Sequence, residues 1–273
     1  MATTIAVLSQ KGGTGKTTAV RTLAEVMRRI DLPTLTIDLD PQGNLSDYFD
    51  VPPDAQPTSA EVLGGRATIA EAIYEPAQIV PANLSLAEAE LALAGKIGRE
   101  LTLRRALAKA PERYRLILID CPPALGLLTV NALAASDYAL ITAEAQYFAL
   151  QGVEQALAVI ELATENLHPD LALLGILLNL ADMRTVHSRE ALESLRQRFG
   201  ASVFETVIRA SIAYAESAER ARSILEHRPD LATDYIALAR ELLGRIGMDE
   251  HARSLSALAR AMTASARGGA STA

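Results

Sequence analysis

The chain has no tryptophan, a single cysteine, and only four lysines against 22 arginines in its 273 residues. One cysteine, Cys121, cannot close an internal disulfide, which excludes a disulfide-stapled secreted scaffold and fits a reducing compartment. No apolar run approaches the length of a membrane span. The N-terminus also lacks a signal-peptide layout, because Ile5–Leu8 leads straight into a glycine-rich loop; a cytoplasmic location is expected. The four histidines, His168, His187, His227 and His251, are scattered without ligand spacing and are expected at the surface or in loops. An excess of positive charge is missing too: the formal net charge is −7, so the whole chain does not advertise a polyanion partner. Residues 1–183 hold 13 basic against 22 acidic side chains, residues 184–228 hold 8 against 6, and residues 229–273 balance. Attraction to phosphate backbones is therefore expected from residues 184–228, with a solvated helix face as the plainer account of the small surplus.

What is present is an ordinary globular composition, 49% hydrophobic and 22% charged, long enough for one large domain with a substantial core. Strands are expected at Thr4–Leu8, Thr34–Asp38, Leu84–Leu86, Leu116–Asp120, Ala139–Thr142 and Leu173–Leu178. Several are apolar at consecutive positions, as in parallel strands covered on both faces. Helices are expected at Thr17–Ile30, Glu88–Ala110, Gly126–Ala134, Leu150–Glu165, Ser188–Phe199 and Asp230–Ile246. This alternation implies a doubly wound α/β fold, a mostly parallel sheet with helices on both faces. Asp50–Thr58, with Pro52, Pro53 and Pro57, reads as a surface loop. The expected organisation is a nucleotide-binding domain over 1–248, then 249–273 with a short helix near Ala252–Ala264 and a flexible end.

Chemistry concentrates where strands end. Residues 11–18 read Lys-Gly-Gly-Thr-Gly-Lys-Thr-Thr between the first strand and the first helix. The usual G-x-x-x-x-G-K-[ST] spacing is not met, since its first glycine would fall on Gln10; the pattern is K-G-G-x-G-K-[ST], with a second lysine at Lys11. Glycines here let backbone N–H groups converge on phosphate oxygens, and the helix N-terminus adds partial positive charge. Lys11, Gly12, Gly13, Thr14, Gly15, Lys16, Thr17 and Thr18 are thus the candidate nucleotide contacts, with Asn179, just after the last strand, added to them. Lys16 is placed to bridge the β- and γ-phosphates and the Thr17 hydroxyl to ligate Mg²⁺. Two further strands end in acid. Asp38 and Asp40 lie on the same side of Ile37–Asn44 by alternation, and Asp120 follows Leu116–Ile119 in a Walker B arrangement. Asp120 would hold Mg²⁺ through water, Asp38 would support the metal shell, and Asp40 would orient the attacking water. A strand-ending aspartate alone often only caps a turn; three beside such a loop point to Mg²⁺-dependent ATP hydrolysis.

With these motifs the chain resembles the ParA/Soj family of partition ATPases, in the deviant Walker group (SIMIBI-type P-loop NTPases) that includes MinD. The resemblance rests on Lys11–Thr18, Asp38–Asn44, Asn83–Glu90, Asp120–Pro123, Tyr147–Gly152 and Ala181–Thr185, and runs from residue 5 to about 245. It implies a homodimer closed around two ATP molecules, with Lys11 reaching the partner's phosphates. It further implies nonspecific DNA binding by the ATP dimer, a ParB-type activator, nucleoid association in the ATP state, and the positioning of a chromosome, a plasmid or a protein assembly. No helix-turn-helix precedes the first strand, so operator binding is not expected. One segment departs from the family pattern: in Ile208–Ala218, Arg209 and Ser211 stand where the family has Pro and Asn, and Ala213 where it has a DNA-contacting Arg. Arg184, Arg189, Arg196, Arg209, Arg220 and Arg222 are the candidates for a positive surface in its place.

Three other classes compete. A MinD-like membrane ATPase would need bulky anchors on a C-terminal amphipathic helix, where this tail offers Leu255, Leu258 and Met262 without Trp or Phe. An iron–sulfur reductase would need paired cysteines, and Cys121 is expected instead to be a small buried residue. A small-molecule kinase or synthetase shows no readable second substrate pocket.

Overall fold

Runs rich in Leu, Ile and Val become strands here because helices cover them on both sides, and nearly every strand residue is buried. The computed structural model describes residues 2–145 and 149–269. β1 (Thr3–Leu8) leads through the glycine-rich loop into α1 (Lys16–Arg29) and β2 (Thr34–Asp38). Three short helices follow, α2 (Asn44–Tyr48), α3 (Ser59–Gly64) and α4 (Ile69–Ala72), before β3 (Ile79–Val80). α5 (Ser85–Leu93) and α6 (Thr102–Leu107) precede β4 (Leu116–Asp120), α7 (Leu127–Ala134) and β5 (Tyr138–Glu144). The chain continues through α8 (Ala149–Asn166), β6 (Ala172–Asn179), α9 (Val186–Phe199), α10 (Ala213–Glu219), α11 (Ile224–His227), α12 (Pro229–Arg245) and α13 (Ala252–Gly269).

The sheet order is β3-β2-β4-β1-β5-β6, and neighbouring strands pair in parallel throughout. This is the doubly wound α/β fold expected. The core has two halves. One, beneath α3, α5, α7 and α8, gathers residues such as Ile37, Leu39, Ile119, Leu128 and Val153. The other, beneath α1 and α12, gathers Val20, Leu23, Phe204, Tyr235 and Leu242. β1 sits between β4 and β5, so successive connections leave it in opposite directions, and a crevice opens beyond the carboxyl ends of the strands.

Several expected elements move. The strand expected at Leu84–Leu86 is instead the start of α5. The Asn83 side-chain oxygen accepts from the Ser85 backbone N–H at 3.0 Å and from its hydroxyl at 2.6 Å, a local turn that favours helix entry. The edge strand is the β-branched pair Ile79–Val80. The single helix expected over Glu88–Ala110 is broken after Leu93, where Gly95 and Gly98 intervene and Gly98 takes a φ of 66°. His168, expected at the surface or in a loop, lies in the turn before β6 and is buried there.

α13 lies against α12: Leu255 is fully buried, and Leu258 and Met262 pack on the same core. It runs longer than the expected Ala252–Ala264 segment, and residues 270–273 fall outside the described residues. Among the described residues no helix is long and apolar enough to cross a membrane.

Candidate functional site

The glycine-rich loop is held from below by a small polar network. The Thr14 hydroxyl donates to Ser9 Oγ at 3.0 Å and lies 3.1 Å from Thr142 Oγ1, while Ser9 Oγ donates to the Lys11 carbonyl at 2.8 Å. Asn179 Nδ2 donates to the Thr14 carbonyl at 2.8 Å, and its Oδ1 accepts from the Leu180 N–H. Asn179 is wholly buried. It therefore braces the loop and does not line the cleft. Gly15, with a φ of 72°, lies so close to this amide that a Cβ there would stand 2.5 Å from Asn179 Nδ2. Backbone conformation and contact both demand glycine at that point. α1 then starts with no side-chain cap and no acidic residue in its first turn, which leaves its N-terminal N–H groups to an anion.

Beneath the loop lies a buried charge cluster. Lys16 Nζ donates to Asp120 Oδ1 at 3.1 Å, and the Thr17 hydroxyl donates to Asp120 Oδ2 at 2.6 Å. Burial works to lower the Lys16 ammonium, but the Asp120 charge outweighs it and holds the group above the usual lysine range. Burial pushes the Asp120 carboxyl up, against the pull of Lys16 and Thr17. The residues expected to meet phosphate and metal are thus brought together and hydrogen-bonded to one another. Thr17 and Asp120 present the hard oxygen donors that suit Mg²⁺.

Asp38 and Asp40 separate in role. Asp38 is fully buried, and its two oxygens accept from the Asp40 N–H at 3.0 Å, the Ser46 N–H at 3.0 Å and the Ser46 hydroxyl at 2.8 Å. The Ser59 hydroxyl donates to its backbone carbonyl at 2.6 Å. Burial, reinforced by the nearby Asp120 charge, pushes the Asp38 carboxyl up. Asp38 acts as a latch on the Asp40–Ser46 segment, while Asp40 itself faces the cleft. Gly43 completes the turn with a φ of 67°, and a Cβ there would stand 2.8 Å from the Ala82 carbonyl oxygen.

The cleft above this cluster is about 840 Å³. Lys11–Thr18 form one wall, with Asp40, Gln42, Asn44 and Asp47 beside them, and Leu180, Ser211, Tyr214, Ala215 and Ala218 opposite. Gln42 and Asn44 belong to the Asp38–Asn44 motif, whose pattern gives neither a separate role. No sequence signal marks Tyr214, because α10 is too short to show a helical period. α10 is tied to α2 through Tyr48, whose hydroxyl lies 2.7 Å from Ser217 Oγ. Cys121 is fully buried beside the cluster, and burial pushes its thiol well up, so it offers no thiolate.

The six arginines proposed as a positive surface are scattered and partly neutralised. Arg184 pairs with Asp182 at 2.9 Å, Arg196 with Glu205 at 2.5 Å and Arg209 with Asp234 at 2.8 Å. Arg189 donates to the carbonyls of Met183 and Arg184, and Arg220 and Arg222 are exposed. Ala213 is 1% exposed and packs in the core, whereas its neighbour Ile212 is 77% exposed, so the side chain that this turn presents to solvent is apolar. Tyr147 and Phe148 lie outside the described residues, and Ala149–Gly152 open α8.

Residues 2–173 match the family model described as an AAA domain. The sporulation initiation inhibitor protein Soj of Bacillus subtilis is 36% identical over 245 residues, 87% of this chain and 97% of that one. The chromosome-partitioning ATPase Soj of Thermus thermophilus is 38% identical over 247 residues, covering 89% of this chain and 96% of that one. Among solved structures, a protein of Mycobacterium smegmatis described as cobyrinic acid a,c-diamide synthase, with bound ADP and magnesium, superposes with a TM-score of 0.73. It is 36% identical, over 83% of this chain and 95% of that one.

Proposed function

The chain belongs to the ParA/Soj family of partition ATPases, and on that premise we propose that it is an ATP-gated switch that pairs with a second copy and holds DNA without sequence preference. It is an ATPase whose cofactors are ATP and Mg²⁺. The observation that carries the proposal is the division of the two loop lysines. Lys16 is drawn inward onto Asp120 in the floor of the site, while Lys11 is exposed at the rim of the cleft. A lysine at the rim is suited to the phosphates of a nucleotide held by a facing subunit, and triphosphate charge between two acidic chains otherwise opposes pairing.

Within the site, Lys16 binds phosphate oxygens in exchange for Asp120, and the loop N–H groups and α1 N-terminus complete the anion cradle. Thr17 and Asp120 would hold Mg²⁺, which when bound offsets phosphate charge. Asp40 is positioned to orient water, and Asp38 keeps that segment in place. Tyr214 and Ser211 line the wall where a base would rest. A partner protein of ParB type is the proposed stimulator of hydrolysis, and the proposed cargo is a chromosome or plasmid. The neighbour described as a diamide synthase shares fold and sequence, but the buried neutral Cys121 supplies no nucleophile for glutamine cleavage, which weighs against carrying that activity over.

The test is retention of purified protein on random-sequence duplex DNA with ATP-Mg²⁺ and with ADP, at two salt concentrations, beside its mass in solution. A dimer that holds DNA only with ATP and releases it as salt rises is expected. Lys16→Ala should abolish nucleotide binding, Asp40→Ala should accumulate the ATP dimer, and Lys11→Ala should bind ATP without pairing. Equal loss of ATP affinity in all three would defeat this division of roles.

A further inference from the structure

We infer that Tyr48 is the positioning residue that sets the base wall of the cleft: it holds α10 through Ser217 and so fixes how much the nucleotide base adds to binding. The inference rests on the reading, proposed above, of that wall as the seat of the base.

The wall is built from a weak element. α10 spans seven residues and starts without a side-chain cap, too short to keep its place by its own hydrogen bonds. What it turns to the cleft offers contact more than hydrogen bonding. Ala215 and Ala218 carry only methyl groups, and the Ser211 hydroxyl oxygen already accepts from the Ala213 N–H at 3.2 Å. Tyr214 lends its ring, since its hydroxyl is enclosed and has no hydrogen-bond partner among the described residues. A base held by contact is sensitive to distance, because a gap of about 0.5–1 Å forfeits a quarter to a half of the attraction between touching atoms. Whatever fixes α10 therefore decides what the wall contributes.

Tyr48 ends α2, lines the cleft beside Asp47 and Asp50, and is only 2% exposed. Its hydroxyl lies 2.7 Å from Oγ of Ser217, which is fully buried in α10. The Ser217 hydroxyl donates to the Arg222 carbonyl, so Tyr48 is the donor of the pair, and one bond ties α10 and the turn after it to α2. Glu216 also meets His227, at 3.2 Å, on the partly exposed side of α10, where water competes for the contact. Tyr48 is itself held by α1. The Arg21 guanidinium lies 4.8 Å from the centre of its ring, and Arg21 Nε donates to its carbonyl at 3.2 Å. α1 is the helix that begins at the glycine-rich loop. The base end and the phosphate end of a nucleotide thus take their spacing from one helix, the first through Tyr48 and the second through the loop.

The two ends are nevertheless separable. Ser9, Thr142 and Asn179 brace the loop, and Asp120 holds Lys16, through hydrogen bonds that involve neither Tyr48 nor Ser217. Loss of the Tyr48 hydroxyl is felt by the base and not by the phosphates.

The experiment measures binding of ADP-Mg²⁺ and of pyrophosphate-Mg²⁺ by calorimetry, a pair of ligands that differ in the base and its sugar and that do not call for pairing. Wild type, Y48F, S217A, Y48F/S217A and Y235F are compared, with thermal unfolding recorded for each. Y235F is the control: the Tyr235 ring packs edge-on against Tyr214, 5.9 Å between centres, but its hydroxyl has no hydrogen-bond partner among the described residues. Wild type should prefer ADP. Y48F and S217A should each lose ADP affinity about three- to tenfold, the span of one hydrogen bond, and keep pyrophosphate affinity within about 1.5-fold. The double variant should lose no more than about twofold beyond S217A, since both changes break the same bond. Y235F should bind both ligands like wild type. Y48F that keeps wild-type ADP affinity, or that loses both ligands alike, would overturn this inference and leave the proposed function standing. Wild type that holds pyrophosphate as tightly as ADP would overturn both the inference and the base seat proposed above.

Discussion

Replacing Lys16 with methionine should destabilise the nucleotide-free protein, and by much less once Asp120 is also neutralised. Lys16 Nζ lies 3.1 Å from Asp120 Oδ1, with the two side chains 7% and 0% exposed. Removing one member of a buried pair costs about 3–5 kcal/mol, because the other charge is left in a medium that solvates it poorly. Asp120 keeps the Thr17 hydroxyl on its second oxygen at 2.6 Å, which puts Lys16→Met near the lower end, about 3 kcal/mol. Asp120→Asn strands the ammonium instead, with an amide oxygen in reach, at about 2–3 kcal/mol. The double variant K16M/D120N strands neither charge and should fall short of the sum by about 2 kcal/mol. Urea unfolding of the four proteins without nucleotide, near neutral pH, measures this coupling. In a melt, at about 2–4 °C per kcal/mol for a domain of this size, Lys16→Met should unfold roughly 6–12 °C early. Additive effects, with a coupling below about 0.5 kcal/mol, would mean that the buried contact contributes nothing specific and that Asp120 is already neutral in the resting protein.

Three further outcomes follow from other parts of the molecule. Gly43→Ala should destabilise by more than about 1 kcal/mol and slow ATP hydrolysis, since the added Cβ meets the Ala82 carbonyl in a left-handed turn; wild-type turnover in this variant would show that the Asp40 segment tolerates displacement. Burial works to raise the Glu61 carboxyl, but hydrogen bonds from Thr58 and Arg66 hold it at about 2, below its ordinary 4.5. That contribution is complete above about pH 4.5 and fades as pH falls toward 2, so Glu61→Gln, with solvent screening allowed for, should cost about 1–2 kcal/mol near neutrality. Its deficit should shrink between pH 4.5 and 3 in chemical denaturation, and a constant deficit would contradict the assignment. Leu255→Ala should cost about 2–4 kcal/mol, because this side chain is fully buried where α13 joins α12; a loss under about 0.5 kcal/mol in urea titration would show that the helix is only loosely attached.

Much of the architecture could be read from the chain, for identifiable reasons. β2 and β4 have the expected limits, since an apolar run ending in aspartate marks both a buried strand and its exit to the site. The glycine-rich loop was legible because few residue types can wrap phosphate. Short elements were not: α2, α3, α4, α10 and α11 each span seven residues or fewer, too little for a helical period to register. At Leu84–Leu86 composition pointed to a strand, while a side-chain hydrogen bond to Asn83 decided for a helix. Among the site residues, Asp38 and Asp40 share one side by alternation, and the place expected for Asp38 is the metal shell. What separates them is Ser46, eight residues beyond Asp38, and a single strand's pattern contains no trace of that partner. A charge count over residues 1–183 hides the densest basic stretch, residues 96–115, which lies inside the acidic part of the chain.

The Asp38 latch bears on how such a protein keeps time. Its carboxylate fastens the backbone at Asp40 and Ser46 through hydrogen bonds made within the chain itself. Immobilising loose backbone takes about 1–2 kcal/mol per residue, and here that loss falls in folding, outside each round of turnover. In the cycle proposed above, the waiting time is then not that of a loop finding its shape. On that proposal the delay would reside in charge that one subunit alone does not bring to a reacting phosphate. The proposed partner would then shorten the interval by delivering that charge or by drawing Lys11 into line, so that electrostatics, with chain ordering already complete, would set the tempo of the proposed cycle.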